Sequence, residues 1–238
     1  MKSKAPLLPI AVVCIVTTSL CYGVGMFVIA GYLPPPSPIQ SELEIAAMYQ
    51  ENHVSIITGL TLAFVGAGFM LPLYLMGSVF MVEVEEGFPY LSVLQALCAL
   101  ATVLLTAFPN LIWLTAAFRI DRPSELIYLL HDLGWIIWAT PSWAFAFQLI
   151  CFSACGLRDK RQVPFVPRWF CFLGLWVAVG VLPTPLVPFF VDGGVFSWNG
   201  LFSFWIAFFS PVFWFVLLGV MVVNNLNRAQ STRKSCLE

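Results

Sequence analysis

The chain has 238 residues, of which 60% are hydrophobic and 10% charged, with a formal net charge of -1 and a mean hydropathy of +0.91. An ordinary soluble domain carries about 25% charged residues, so this chain cannot coat a globular surface with charge. A soluble enzyme, a disordered tail and a basic nucleic-acid binder are excluded, and the charge balance gives no reason to expect a nucleic acid as partner.

What remains is an all-α polytopic membrane protein, because the apolar runs are long and unbroken where a barrel needs short alternating strands. A spanning helix needs about 20 mostly apolar residues. Six stretches supply them: Leu8 to Ala30, Val54 to Val82, Phe88 to Phe118, Glu125 to Leu157, Trp169 to Val191 and Leu201 to Val223. Lys2 and Lys4 precede the first, as in a signal peptide, but its apolar run is about twice as long as a signal core and no small-x-small site follows it, so it is expected to stay as a span. After it, Pro34-Pro35-Pro36-Ser37-Pro38 is stiff and polyproline-like. Ser41-Glu42-Leu43-Glu44 then has the pattern of a capping box, which predicts an interfacial helix over about 41–53 leading into span two. Pro72, Pro109, Pro141 and Pro211 fall inside spans, and Pro183, Pro185 and Pro188 crowd span five. Such prolines kink helices and open cavities between them. With no internal repeat, residues 1–238 read as a single transmembrane domain.

Lys and Arg placement sets the orientation. Lys2, Lys4, Arg158, Lys160, Arg161, Arg168, Arg228, Arg233 and Lys234 fall on one side and only Arg119 and Arg122 on the other. Both termini are therefore expected in the cytoplasm, within the endoplasmic reticulum membrane of a eukaryote or the inner membrane of a bacterium.

Six of the seven cysteines lie in apolar spans and Cys236 in the tail. They suggest neither a disulfide framework nor, without a C-x-x-C or a neighbouring His, a metal site. Cys236 has only two residues after it, so it is no prenylation signal. No nucleotide-binding or nucleophile-elbow motif is present, and no metal or other cofactor is expected.

Charges inside a membrane are expensive and mark function. Asp132 is the leading candidate. It stands seven residues into span four after Glu125, flanked by Leu129, Leu130, Leu133, Trp135 and Ile136. A carboxyl among such neighbours favours its protonated form and can act as a proton donor. Glu125, Tyr128 and Asp132 share a helix face, so Tyr128 is expected to orient Asp132, whereas His131 points about 100° away on a helix with 3.6 residues per turn. Glu51, Asn52 and His53, then Asn110, Arg119, Asp121 and Arg122, and finally Asp192, Trp198 and Asn199 gather on the same side of the membrane. Trp113, Trp135, Trp138, Trp198, Phe202 and Trp205 lie in the same half. A polar pocket open to the non-cytoplasmic side, lined by rings able to hold an apolar ligand or shield a cation, is expected there. Packing, interfacial anchoring and solvated turns account for the same residues without a site.

The stretches Glu51-Asn52-His53-Val54, Phe118-Arg119-Ile120-Asp121-Arg122-Pro123, Asp132-Leu133-Gly134-Trp135, Pro167-Arg168-Trp169 and Phe196-Ser197-Trp198-Asn199-Gly200 resemble a widespread family of small bacterial and fungal integral membrane proteins. Some fungal relatives of that family are similar to membrane-bound meroterpenoid cyclases. The resemblance implies a cofactor-independent cyclase of the isomerase type in secondary metabolism, acting on a lipophilic prenylated small molecule. Asp132 would protonate an epoxide or olefin, and Glu51, Glu125 or Asp192 would take the final proton. Tyr128, Trp135, Asn110, Arg119, His53, Trp113, Trp198 and Asn199 would line the substrate site. Two other readings remain open: a small proton-coupled transporter, which the missing repeat disfavours, and a non-catalytic subunit that binds lipid or assists assembly. Protein partners are left open.

Overall fold

The computed structural model describes residues 7–235, with side chains to Arg228. Lys2, Lys4, Cys236 and the side chains of Arg233 and Lys234 lie outside the described residues. Among the described residues the chain is helical, and six stretches are long and apolar enough to cross a membrane: Leu7–Ile29, His53–Val82, Tyr90–Ala117, Ser124–Arg158, Arg168–Phe189 and Leu201–Arg228. They coincide with the six predicted spans to within a few residues. This is the architecture of an integral multi-pass membrane protein.

The spans are not six straight rods. Span one is α1 (Leu7–Thr17) followed by a π-helical segment, Thr18–Ile29. Span two is α3 (His53–Gly68) and α4 (Met70–Val82), divided at Phe69. Span three is one helix, α5 (Tyr90–Ala117), with Pro109 inside it. Span four is α6 (Ser124–Ala139) and α7 (Trp143–Arg158), broken around Pro141, where a proline can neither donate to a helix carbonyl nor fit beside it. Span five is α8 (Arg168–Val181) and a 3₁₀ segment, Thr184–Phe189, which follows Pro183 and contains Pro185 and Pro188, none of which can donate a backbone hydrogen bond. Span six opens with a π-helical turn, Leu201–Ile206, and continues as α9 (Ala207–Ser235).

Between spans one and two lies α2 (Glu42–Glu51). The predicted capping box starts it: the Ser41 hydroxyl accepts the Glu44 amide, and the Glu44 carboxylate accepts the Ser41 amide at 2.7 Å. The helix does not run on unbroken into span two, because Asn52 leaves helical geometry between α2 and α3. It packs instead against α6.

Successive spans are neighbours, and α1 returns against α9, so the six close into a ring with both described ends of the chain at one end of the bundle. Spans one and two approach most closely. A Cβ on Gly59 would collide with the Gly25 carbonyl and the Ala30 amide, and one on Gly66 with the Tyr22 amide. Here backbone meets backbone, the small-residue packing that membrane helices use in place of a hydrophobic drive. Two cores fill the ring. The terminal half packs Leu73, Met81, Phe152, Phe170, Cys171, Trp214 and Leu218, and the far half packs Tyr32, Tyr49, Ile56, Trp113, Trp135, Trp198 and Phe204.

Candidate functional site

A cavity of about 450 Å³ lies inside the ring, lined by residues from all six spans. Tyr22, Phe27 and Ala139 on its wall belong to the far core, while Tyr74, Val181 and Phe215 belong to the terminal core, so the hollow lies between the two. Nearly every span contributes at its irregularity. Thr18, Ser19, Tyr22 and Gly23 come from the start of the π-helical segment, Met70 from beside the division at Phe69, and Pro141 and Ser142 from the break in span four. Thr184 comes from the 3₁₀ turn, and Ala207 and Pro211 from the start of α9. On span three the wall includes Leu105, the residue whose carbonyl Pro109 leaves without a helical donor. Irregular backbone at membrane depth persists only where protein or a cavity receives it, and here the interruptions and the cavity share one level. The cavity holds no charged side chain. Its polar groups are hydroxyls and one indole: Thr18, Tyr22, Thr102, Thr106, Ser203 and Trp138 among them.

Beyond Trp138 the far half forms a continuous aromatic and polar column. The Trp138 ring lies 5.7 Å from Trp135, which lies 4.9 Å from Trp113, 5.6 Å from Tyr32 and 6.2 Å from His131. The Trp113 indole donates to the His131 carbonyl at 3.1 Å, and Gly134 makes room, since a Cβ there would collide with that indole. The His131 ring is fully buried, and its Nδ1 is hydrogen-bonded to the Tyr49 hydroxyl at 3.1 Å, which is bonded to Tyr32 at 2.8 Å. Whichever tautomer His131 holds, Nε2 has no partner among the described residues. Burial pushes the Tyr49 phenol well above its ordinary value, and the neighbouring Tyr32 and Asp132 add to that shift. Burial raises Tyr32 as well, against a smaller opposing effect of its bond to Tyr49. Both phenols therefore keep their protons at neutral pH.

The sequence-predicted residues divide into groups. Trp113, Trp135 and Trp198 join this column, with Trp198 stacked on Trp135 at 6.4 Å and donating to the Pro36 carbonyl at 2.8 Å. Asn110 is buried in α5, where its amide donates to the Thr106 carbonyl at 2.8 Å and its own carbonyl oxygen has no partner. Asn199 accepts the Ser197 hydroxyl at 2.6 Å in the loop before span six. Asp132 is half-buried, with Oδ1 enclosed and unpartnered. No hydrogen bond joins it to Tyr128 among the described residues. Glu51, Glu125 and Asp192 are exposed, and His53 is half-buried at the start of α3. Arg119 is exposed, lies over the Phe118 ring at 5.9 Å and pairs with no carboxylate among the described residues. None of the four predicted acids lines the cavity. Of the predicted aromatic group, Trp138 alone does so; Trp205 stacks on Phe209 with 42% of its surface exposed.

Sequence reasoning set His131 aside and missed Tyr22, Tyr32 and Tyr49. For His131 a signal existed: it shares a helix face with Trp135, four residues on, and Gly134 between them permits close packing. The tyrosines carried none, since their partners lie far away in sequence. Groups of His, Cys, Asp and Glu able to hold a metal ion do not occur among the described residues. No family model matches the chain, and no curated protein or solved structure is significantly similar to it.

Proposed function

We propose that this protein binds an uncharged lipophilic small molecule inside the membrane, in the cavity between its two cores. The supporting observation is the cavity itself: about 450 Å³, mostly apolar, without a charged group among the described residues, and lined by all six spans. That volume falls in the range of small-molecule sites. Its wall includes Ser19 and Gly23 from span one and Phe209, Val212 and Val216 from span six, whose side chains are 40–44% exposed at the last three positions. Access from the bilayer between these spans fits a ligand that partitions into lipid.

Gly23 offers the direct test. A Cβ there meets nothing within 4 Å, although the residue lines the cavity. Gly23→Leu therefore fills the hollow without forcing the helices apart. With the protein in lipid nanodiscs, a prenylated phenol is expected to quench Trp138 fluorescence in the wild type and to lose at least about tenfold in affinity in the variant, the equivalent of roughly 1.4 kcal/mol. Equal quenching of both would overturn the reading.

A second reading, the cyclase expected from the family resemblance, is favoured by Asp132. Its Oδ1 is enclosed without a partner, and it shares a face of α6 with Ala139, which lines the cavity seven residues on. In that chemistry the carboxyl proton passes to an epoxide oxygen or an olefin carbon, a π bond attacks the resulting cation to close a ring, and a base takes a proton from the product cation. No electrons are gained or lost. A substrate long enough to pass Trp135 would have to connect the cavity with Asp132. Asp132→Asn is expected to stay folded and to form no cyclised product from a prenylated phenol epoxide in microsomes; undiminished turnover would rule out the acid.

A further inference from the structure

We infer that Tyr22 is the anchoring donor of the cavity, so that the ligand is an uncharged lipophile carrying a hydrogen-bond acceptor such as a carbonyl oxygen. This rests on the proposed binding role and names the chemistry that the same site selects.

The inference comes from accounting for the polar groups on the cavity wall. Five of the nine hydroxyls on the wall are already committed to backbone carbonyls: Thr18 to Gly66 at 3.2 Å, Thr102 to Cys98 at 2.9 Å, Thr106 to Thr102 at 2.8 Å, Thr184 to Thr140 at 3.4 Å and Ser203 to Phe196 at 2.8 Å. These five have no proton left for a ligand, while Ser19 is exposed, Ser142 is half-buried and the Tyr74 phenol faces the Gln148 side chain. Tyr22 is arranged differently. Its hydroxyl oxygen accepts the Trp138 indole N–H at 2.9 Å, and its own proton has no acceptor among the described residues. The residue is 5% exposed, so bulk water does not take that proton. A buried donor left unmade is costly, and accepting the indole proton polarises the phenol so that it donates more strongly.

The indole bond also fixes where the phenol stands. Trp138 is held on its other faces by Trp135, Phe204 and Phe208 at ring distances of 5.7, 5.8 and 5.9 Å. The Tyr22 ring is further backed edge-on by Phe27 at 6.4 Å. A ligand oxygen at Tyr22 would thus lie at the far-half end of the hollow, with its apolar body extending toward Met70, Tyr74 and Phe215. The absence of charged side chains from this wall works against a carboxylate or an ammonium, which would be desolvated without a counter-ion. Selection by one buried hydrogen bond in an apolar pocket is effective because an analogue lacking the acceptor leaves the donor unpaired.

Two probes separate this inference from the reading beneath it: a long-chain aryl ketone with an isotope-labelled carbonyl, and the alkylbenzene of the same shape. Both are added to the full-length protein in nanodiscs. The wild type is expected to bind both, the ketone about fivefold more tightly, with its carbonyl stretch lowered in the infrared difference spectrum. Tyr22→Phe should abolish the shift and the preference while still binding the hydrocarbon, and Tyr74→Phe should retain the shift. A carbonyl stretch unshifted in the wild type, or a shift kept in Tyr22→Phe, overturns the assignment of Tyr22 and leaves the cavity as a binding site. Failure of the wild type to bind either probe overturns both.

Discussion

The two ends of the ring solve the same problem with different chemistry. In the terminal half the core mixes aliphatic and sulfur-bearing side chains with rings such as Phe152, Phe170 and Trp214, and ionised groups stay in the loops, where the backbone employs them. Glu85 accepts the amides of Leu91 and Ser92 at 2.8 Å each and so caps α5, while Asp159 accepts the Phe165 amide at 2.9 Å and binds the Arg161 guanidinium. In the far half polar groups are brought inside an aromatic core: Tyr32, Tyr49 and His131 lie among Trp113, Trp135 and Trp198, with Asp132 near Tyr49. Several of these groups are left without partners, among them His131 Nε2, Trp135 Nε1 and Asp132 Oδ1. Unmade bonds of this kind cost stability. Such atoms occur in the terminal half too, on Gln95, Gln148, Ser153 and Trp214, so the two halves differ in where ionised groups are employed and not in how many buried polar atoms go unpaired.

The contrast breaks most sharply at the seam of spans one and two. Because a side chain at Gly59 would strike the Gly25 carbonyl and the Ala30 amide, neither of which can turn away, Gly59→Leu should cost about 3 kcal/mol or more. Thermal unfolding in detergent measures it. Gly68, on the same helix, faces open space with nothing within 4 Å, so Gly68→Leu should lie within about 0.5 kcal/mol of the wild type. Equal tolerance of both would mean that the far half does not depend on this approach.

Much of this architecture was legible in the sequence, and what was not has a physical reason. The spans follow from apolar length, the capping box from Ser41 and Glu44, and the broken helices of spans four and five from Pro141 and the prolines of span five. That these breaks meet at one depth was not legible, because depth depends on how each span is shifted against its neighbours. The π-helical geometry of Thr18–Ile29 has no local marker either; the register there is set by the glycine contacts across to α3. At the site, Asp132 stood out as a carboxylate in an apolar run. The Tyr22 to Trp138 and Tyr49 to His131 bonds join residues 116 and 82 positions apart. Tyrosine is ordinary at membrane interfaces, so neither bond could be foreseen from composition. Glu51, Glu125 and Asp192 were expected to share the site with Asp132 as bases, and the packing separates three exposed groups from one with an enclosed oxygen.

A smaller effect sharpens the contrast from the terminal side. Burial pushes the Asp159 carboxyl up, but the Arg161 guanidinium and the amides of Phe165 and Arg161 outweigh it and hold the group below its ordinary value of 3.8. Glu85 follows the same pattern below its ordinary 4.5, with burial opposed by the Ser92 hydroxyl and the amides of Leu91 and Ser92. A carboxyl depressed in the folded state stabilises the fold fully above its unfolded value, and that contribution drains away as the pH falls through the folded value. Asp159→Asn should therefore cost about 1 kcal/mol at neutral pH, a modest figure because its partner Arg161 is 38% exposed. The variant and the wild type should converge as the pH drops below the ordinary carboxylate range. Hydrogen exchange of the amides of Arg161 and Phe165, measured along that titration, reads the effect locally, and the far half should show no matching change, since its buried phenols and imidazole are not organised around an ionised loop carboxylate. A pH-independent difference between the two proteins would mean that Asp159 acts through its shape alone, and the division between a charge-capped half and a neutral polar half would no longer hold at this loop.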